Sequence, residues 1–191
     1  MYKLLGFASA VCVLVSYVPY LKDIFANRTK PERASWFIWT ALGLIIFLTQ
    51  LAQGASSSLL LPGFETVFTL IVFILSIKFG TGGVTKQDIL GLIAAVIGLI
   101  IWFQTKQPIF ALLTAIFVDL VGTVLTIIKT YQDPSSETLV TWVLVSLAGI
   151  LSLLSVGRIS LPLMIYPAYI FLANGATVLA IFYGKARKFP N

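Results

Sequence analysis

The sequence predicts an all-α membrane protein with seven transmembrane helices, arranged as two parallel three-helix bundles joined by a linker helix. Three observations predict this fold. The chain has 191 residues, of which 59% are hydrophobic and only 10% are charged, whereas soluble domains carry roughly 25% charged residues. Seven apolar runs approach the length of about 20 residues that a helix needs to cross a bilayer. The first three runs also share sequence features with the last three.

Polar or turn-forming segments separate the seven runs, for example "NRTKPER", "GTGGVTKQD" and "YQDPSSE". Pro31, Pro108 and Pro134 each fit the first turn of the helix that follows, where a missing N–H group costs nothing. Asp133 is suited to cap the sixth helix. We therefore predict helices over 3–26, 34–54, 59–80, 87–104, 107–131, 137–156 and 160–184.

The basic residues predict the orientation of the chain. With seven spans, the two termini lie on opposite sides of the membrane, and ten of the 13 Lys and Arg residues fall on the side of the C-terminus. Basic residues favour the cytoplasmic side. The sequence therefore predicts an N-terminus outside the cell and a C-terminus in the cytoplasm. Trp36, Trp39 and Trp142 lie near helix starts, which is typical of anchors at the membrane interface.

An internal repeat relates the two ends of the chain. The segments "KPERASWFIW" (30–39) and "DPSSETLVTW" (133–142) lie 103 residues apart, and both place Pro second and Trp tenth. The third and seventh runs end alike, in "SIKFG" and "AIFYG". A unit of three helices needs one additional helix before it can repeat in the same orientation. We predict a first repeat over 1–82, a linker helix over 83–106 and a second repeat over 107–191.

Two further segments carry a resemblance to a known family. In "YVPYLKDIFANRTK", Pro19 precedes a basic loop, and "YPAYIFLANGATVLAIFYG" contains an Asn-Gly pair near the middle of the last helix. With the repeat, these features resemble the SWEET and PQ-loop superfamily of seven-helix membrane transporters. The resemblance implies the 3+1+3 architecture and transport. This chain departs from the family's Pro-Gln pair, because Tyr20 follows Pro19 and the second repeat has Gly122-Thr123.

The stretch "DLVGTVLTIIKTYQDPSSET" is similar to a family of small bacterial membrane proteins of unassigned activity. That similarity implies a location in the bacterial inner (plasma) membrane. It leaves the identity of a substrate open.

Polar residues deep in the predicted helices indicate a site near the middle of the membrane. Asp119 lies about twelve residues into the fifth helix, where an ionisable group costs about 2.5–3.5 kcal/mol and requires an explanation. The residues on its helix face correspond, through the repeat, to residues on one face of the first helix. The two faces are Asp119, Gly122, Thr123 and Thr126, and Ser16, Pro19, Tyr20 and Asp23. We predict that both faces line a central cavity, with Pro19 and Gly122 as hinges.

Two other helices contribute candidate residues. Asn174 lies at a similar depth in the seventh helix with Thr177 one turn further on, and its amide suits hydroxyl groups or an amino-acid backbone. Glu65 lies about six residues into the third helix. Asp119 and Glu65 are candidates for a proton-binding site. Glu65 is also suited to line a vestibule on the outer side. Asp119 and Asn174 are also suited to hydrogen bonds between helices, and Glu65 to the membrane interface.

These residues predict a transporter, either a facilitator or proton-coupled, for a small polar solute such as a sugar, by alternating access around a midplane site. The predicted solute-binding residues are Asp119, Asn174, Tyr20, Thr123, Thr177 and Ser16. The alternative is a receptor or interaction protein on the same scaffold that does not transport. We expect no metal site, since the chain has no His and one Cys. We also expect no cofactor and no enzyme activity, because the candidate carboxyl pair, Asp119 and Glu65, differs in predicted depth by about 9 Å. The expected partners are the solute and the lipid bilayer, without nucleic acid, and a homo-oligomer is compatible with the sequence.

Overall fold

A computed structural model describes residues 1–27, 31, 33–80, 86–132, 134 and 138–188. In this part of the chain the fold is all-helical, without a strand. The α-helices agree with the predicted runs to within two residues, except that the last helix continues to Lys188. The helices are α1 (Tyr2–Phe25), α2 (Arg33–Ala52), α3 (Leu60–Phe79), α4 (Lys86–Thr105), α5 (Pro108–Gln132), α6 (Leu139–Ser155) and α7 (Leu161–Lys188). A short 3-10 helix, Ser57–Leu59, precedes α3.

The length and apolarity of the helices are compatible with an integral membrane protein. Three stretches are long and apolar enough to cross a bilayer: Tyr2–Phe25, Ser57–Phe79 and Leu161–Arg187. Elsewhere in the described residues the apolar stretches span 10–17 residues. Large apolar side chains are exposed along the outside of the bundle, including Ile77, Phe117 and Leu172. A surface of this kind is stable in contact with lipid rather than water.

One end of the bundle brings together the start of α1, the α2–α3 connection and the α6–α7 connection. We call it the N-terminal end. The guanidinium of Arg158 donates to the carbonyl of Gln53 at 3.2 Å, and the hydroxyl of Ser152 donates to the carbonyl of Ser58 at 3.2 Å. Gly54 ends α2 with φ of 77°, a left-handed conformation that glycine adopts without steric cost. These bonds close the N-terminal end between the first and the second half of the chain.

The repeated prolines occupy equivalent places at the opposite end. Pro31 and Pro134 are both buried. A Cβ atom added at Gly80, where α3 ends, would lie 2.4 Å from the carbonyl oxygen of Pro31. A Cβ atom added at Gly184, near the end of α7, would lie 2.7 Å from Cγ of Pro134. The two proline–glycine contacts therefore hold the connection between the first two helices of each half against the end of its third helix.

Helix packing follows the same correspondence. In the first half α3 packs against α1 and α2, and in the second half α7 packs against α5 and α6. Between the halves, α1 packs against α6 and α2 against α5, while α4 packs against α5 and α2. Small residues allow close approach of α1 and α6, where the hydroxyl of Ser9 donates to the carbonyl of Ala148 at 2.7 Å.

Candidate functional site

Asp119 lies on the inward face of α5 and binds to α7. It follows the buried residues Leu112 and Ala115 at helical spacing. Its carboxyl group accepts a hydrogen bond from the hydroxyl of Tyr169 and a longer one, 3.4 Å, from Oγ1 of Thr123. The hydroxyls of Thr123 and Tyr169 lie 3.2 Å apart. Asp119 and Thr123, which the sequence places on one helix face, therefore both contact Tyr169 of α7.

Glu65 occupies the inward face of α3. It lies on the same stripe as the buried residues Leu61, Thr69 and Val72, and its carboxyl group accepts a hydrogen bond from the hydroxyl of Tyr166 on α7. Among the described residues, α3 and α7 are not one of the closely packed helix pairs. The Glu65–Tyr166 hydrogen bond therefore joins the two halves through side chains that extend across the interior.

The two tyrosines are the functional candidates that sequence reasoning missed. Tyr166 and Tyr169 are three residues apart on α7, about 4.5 Å along the helix axis, and lie on one face. The signal was present in "YPAY", where two phenol groups one turn apart interrupt an apolar run around Pro167. We refer to Glu65, Asp119, Thr123, Tyr166 and Tyr169 as the carboxyl–tyrosine cluster.

The electrostatic environment of this cluster is negative. Glu65 and Asp119 bond to tyrosines one turn apart on α7, so the two carboxyl groups lie near each other. Every Lys and Arg side chain that the structure describes lies in the first or last turn of a helix or in a connection. Charged groups inside a protein require a partner of opposite charge or neutralisation. The side chains of Glu65 and Asp119 are half-buried.

Aromatic rings enclose the interior toward the end that contains the proline–glycine contacts. Tyr17 stacks on Phe68 with ring centroids 4.9 Å apart, and the ring of Trp36 lies 5.2 Å from that of Tyr20. Tyr17 also contacts Trp36 edge to face. We call Tyr17, Tyr20, Trp36 and Phe68 the aromatic cluster. The prediction of Trp36 as an interfacial anchor is wrong, because its side chain is buried against α1.

Three predicted solute-binding residues direct their hydrogen bonds to their own helices. Ser16 is fully buried and its hydroxyl donates to the carbonyl of Val13 at 2.7 Å. Thr177 is fully buried and donates to Ala173 at 3.1 Å. The amide of Asn174 donates to Ile170 at 2.8 Å. Back-bonding of this kind satisfies a polar group within an apolar helix, and these bonds do not connect the three residues to the carboxyl–tyrosine cluster.

The remaining predicted residues are distributed over α1 and α5. Tyr20 belongs to the aromatic cluster, and Pro19 lies inside α1, which continues through it. Gly122 lies within α5, and its role as a hinge stays a prediction. Among the described residues, no group of three or more His, Cys, Asp or Glu is placed to hold a metal ion.

Comparisons with protein-family models, with curated proteins and with solved structures found no match to this chain. The resemblance to the SWEET and PQ-loop superfamily therefore remains a prediction from the residues quoted above.

Proposed function

We propose that the chain is a membrane transporter for a small polar solute and works by alternating access. In this proposal α1–α3 and α5–α7 are two parallel bundles joined by the linker helix α4, as in the SWEET and PQ-loop superfamily. The N-terminal end faces outward and the proline–glycine contacts lie on the cytoplasmic side. The helix pairings support this division, because each pairing in one half has a counterpart in the other.

The observation that carries the proposal is the carboxyl–tyrosine cluster. It places two carboxyl groups, two phenols and a hydroxyl in the interior of an apolar helical protein, on three helices taken from both halves. Polar groups at such depth are costly and are found where solutes or ions bind. The Glu65–Tyr166 hydrogen bond lies toward the N-terminal end, and the aromatic cluster lies toward the opposite end. Opening one boundary while the other stays closed would expose the cluster to each side in turn.

Chemical labelling of a cysteine at position 123 tests alternating access without a known substrate. We expect Thr123→Cys, in a Cys12→Ser background, to react with a small membrane-impermeant thiosulfonate added to either side of the membrane. The measurement compares right-side-out with inside-out vesicles. A cavity that opens alternately makes one position accessible from both faces, whereas a receptor with a fixed cavity allows access from one face.

Thr177→Cys in the same background provides the matched control. Thr177 is fully buried in α7, and we expect no labelling from either side. Labelling of position 123 from one side only would contradict the transport mechanism and support the receptor.

A further inference from the structure

We propose that the carboxyl–tyrosine cluster binds a small organic cation. This inference rests on the proposed function and names the substrate class of the same site. The hydroxyls of Tyr166 and Tyr169 donate to Glu65 and Asp119, and the hydroxyl of Thr123 also donates to Asp119. Each carboxyl group thus has one oxygen in contact with a hydroxyl, and its remaining acceptor positions can receive hydrogen bonds from a cationic donor.

Within the described part of the chain, no Lys or Arg lies at the depth of these two carboxyl groups. Helices α2 and α6 pack beside the site, and their sequences contain no ionisable residue apart from Arg33 at the start of α2. The described Lys and Arg residues are confined to helix ends and connections. Two carboxylates in a poorly solvated interior are strongly disfavoured without a countercharge. Such carboxyl groups bind either a proton or a cation, and in the proposed site a cationic solute takes this place when it binds.

The aromatic residues favour an organic cation over a metal ion. Tyr17 stacks on Phe68, and Tyr169 contributes a further ring whose hydroxyl donates to Asp119. The faces of aromatic rings attract ammonium and guanidinium groups. Calcium, in contrast, takes six to eight oxygen ligands, and no metal-holding group of acidic residues is present among the described residues. An organic cation fits this combination, because the carboxyl groups can contact its charged part and the aromatic rings its apolar part.

Competition between matched cations and neutral molecules tests the inference. The probes are guanidinium against urea, ethanolamine against ethylene glycol, and choline against 3,3-dimethylbutan-1-ol, because each pair has a similar shape and differs in charge. The readout is the rate at which Thr123→Cys, in the Cys12→Ser background, reacts with thiosulfonate in detergent solution. We expect at least one cation to slow labelling about tenfold more than its neutral counterpart at equal concentration, as for a charge-assisted contact.

Isosteric variants show whether the cluster is responsible. Asp119→Asn and Glu65→Gln remove the charge and keep the side-chain volume, so we expect each to abolish the discrimination. Tyr183→Phe, at an exposed position of α7, should retain it. Equal protection by both members of every pair, or discrimination that survives in either carboxamide variant, would overturn the inference. This assay measures cation binding in detergent, and a negative result would overturn the substrate class alone. Transport is tested separately, by labelling from the two sides of a membrane.

Discussion

A Tyr166→Phe substitution is expected to raise, about tenfold or more, the rate at which Thr123→Cys is labelled from the N-terminal end of the bundle. The substitution removes the hydroxyl that joins α7 to Glu65 of α3. A hydrogen bond to a charged group contributes about 1.5–3 kcal/mol, and a bond made in only one of two conformations shifts their populations by the corresponding factor. Labelling from the opposite side should fall or stay unchanged.

A tyrosine on the same helix provides the control for this experiment. Tyr183 is exposed on α7, and Tyr183→Phe makes the same chemical change outside the interior. Glu65→Gln replaces the charged acceptor with a weaker amide oxygen and should also raise labelling from the same side. Combining it with Tyr166→Phe should add little to the effect of Tyr166→Phe, because both variants act on one bond. An unchanged rate in Tyr166→Phe, or additive effects in the double variant, would show that this bond does not close the cavity.

A Gly149→Ala substitution is expected to cause the largest loss of stability among the single methyl additions in the α6–α7 interface. The added Cβ atom would lie 2.5 Å from the backbone nitrogen of Phe171 and 3.0 Å from the carbonyl oxygen of Pro167. Both atoms belong to the α7 backbone, so the two helices would have to separate. Overpacking costs about 1–3 kcal/mol, and backbone contacts leave little scope for relief. Thermal unfolding of the purified protein in detergent measures the effect.

Gly175→Ala is the matched control for Gly149→Ala. Gly175 lies across the same interface, but an added Cβ atom would meet only Oγ of Ser146, at an ordinary 3.4 Å. Because alanine favours a helix by up to about 1 kcal/mol over glycine, we expect unchanged or slightly higher stability. Similar unfolding temperatures for the two variants would mean that α6 and α7 are not in such close contact at Gly149.

The helices were predictable from the sequence because apolar runs and their interruptions directly determine where a membrane helix begins and ends. The predicted repeat drew on Pro31 and Pro134, and these two prolines contact Gly80 and Gly184 near the ends of α3 and α7. Asp119 could be chosen as a candidate site residue by its depth alone, since a carboxyl group in the middle of an apolar run is rare.

The partners of the polar residues were not predictable in the same way. The partners of Asp119 and Glu65 depend on the rotation of α7 about its axis and on which helices pack together. The spacing of residues within one helix determines neither. Ser16 and Thr177 have the correct depth and residue type for a solute site, but each hydroxyl is satisfied by its own backbone. Trp36 shows the same limit, because its place near a helix start does not indicate whether the ring faces lipid or α1.

The two proline–glycine contacts have a mechanical consequence. Each fastens three helices of the same half, and neither crosses the boundary between the halves. In the proposed transport cycle, a motion that preserves both contacts has to change the contacts of α1 with α6 and of α2 with α5. The proposed mechanism would then move the two groups of three helices relative to each other, with α4 connecting them along the chain.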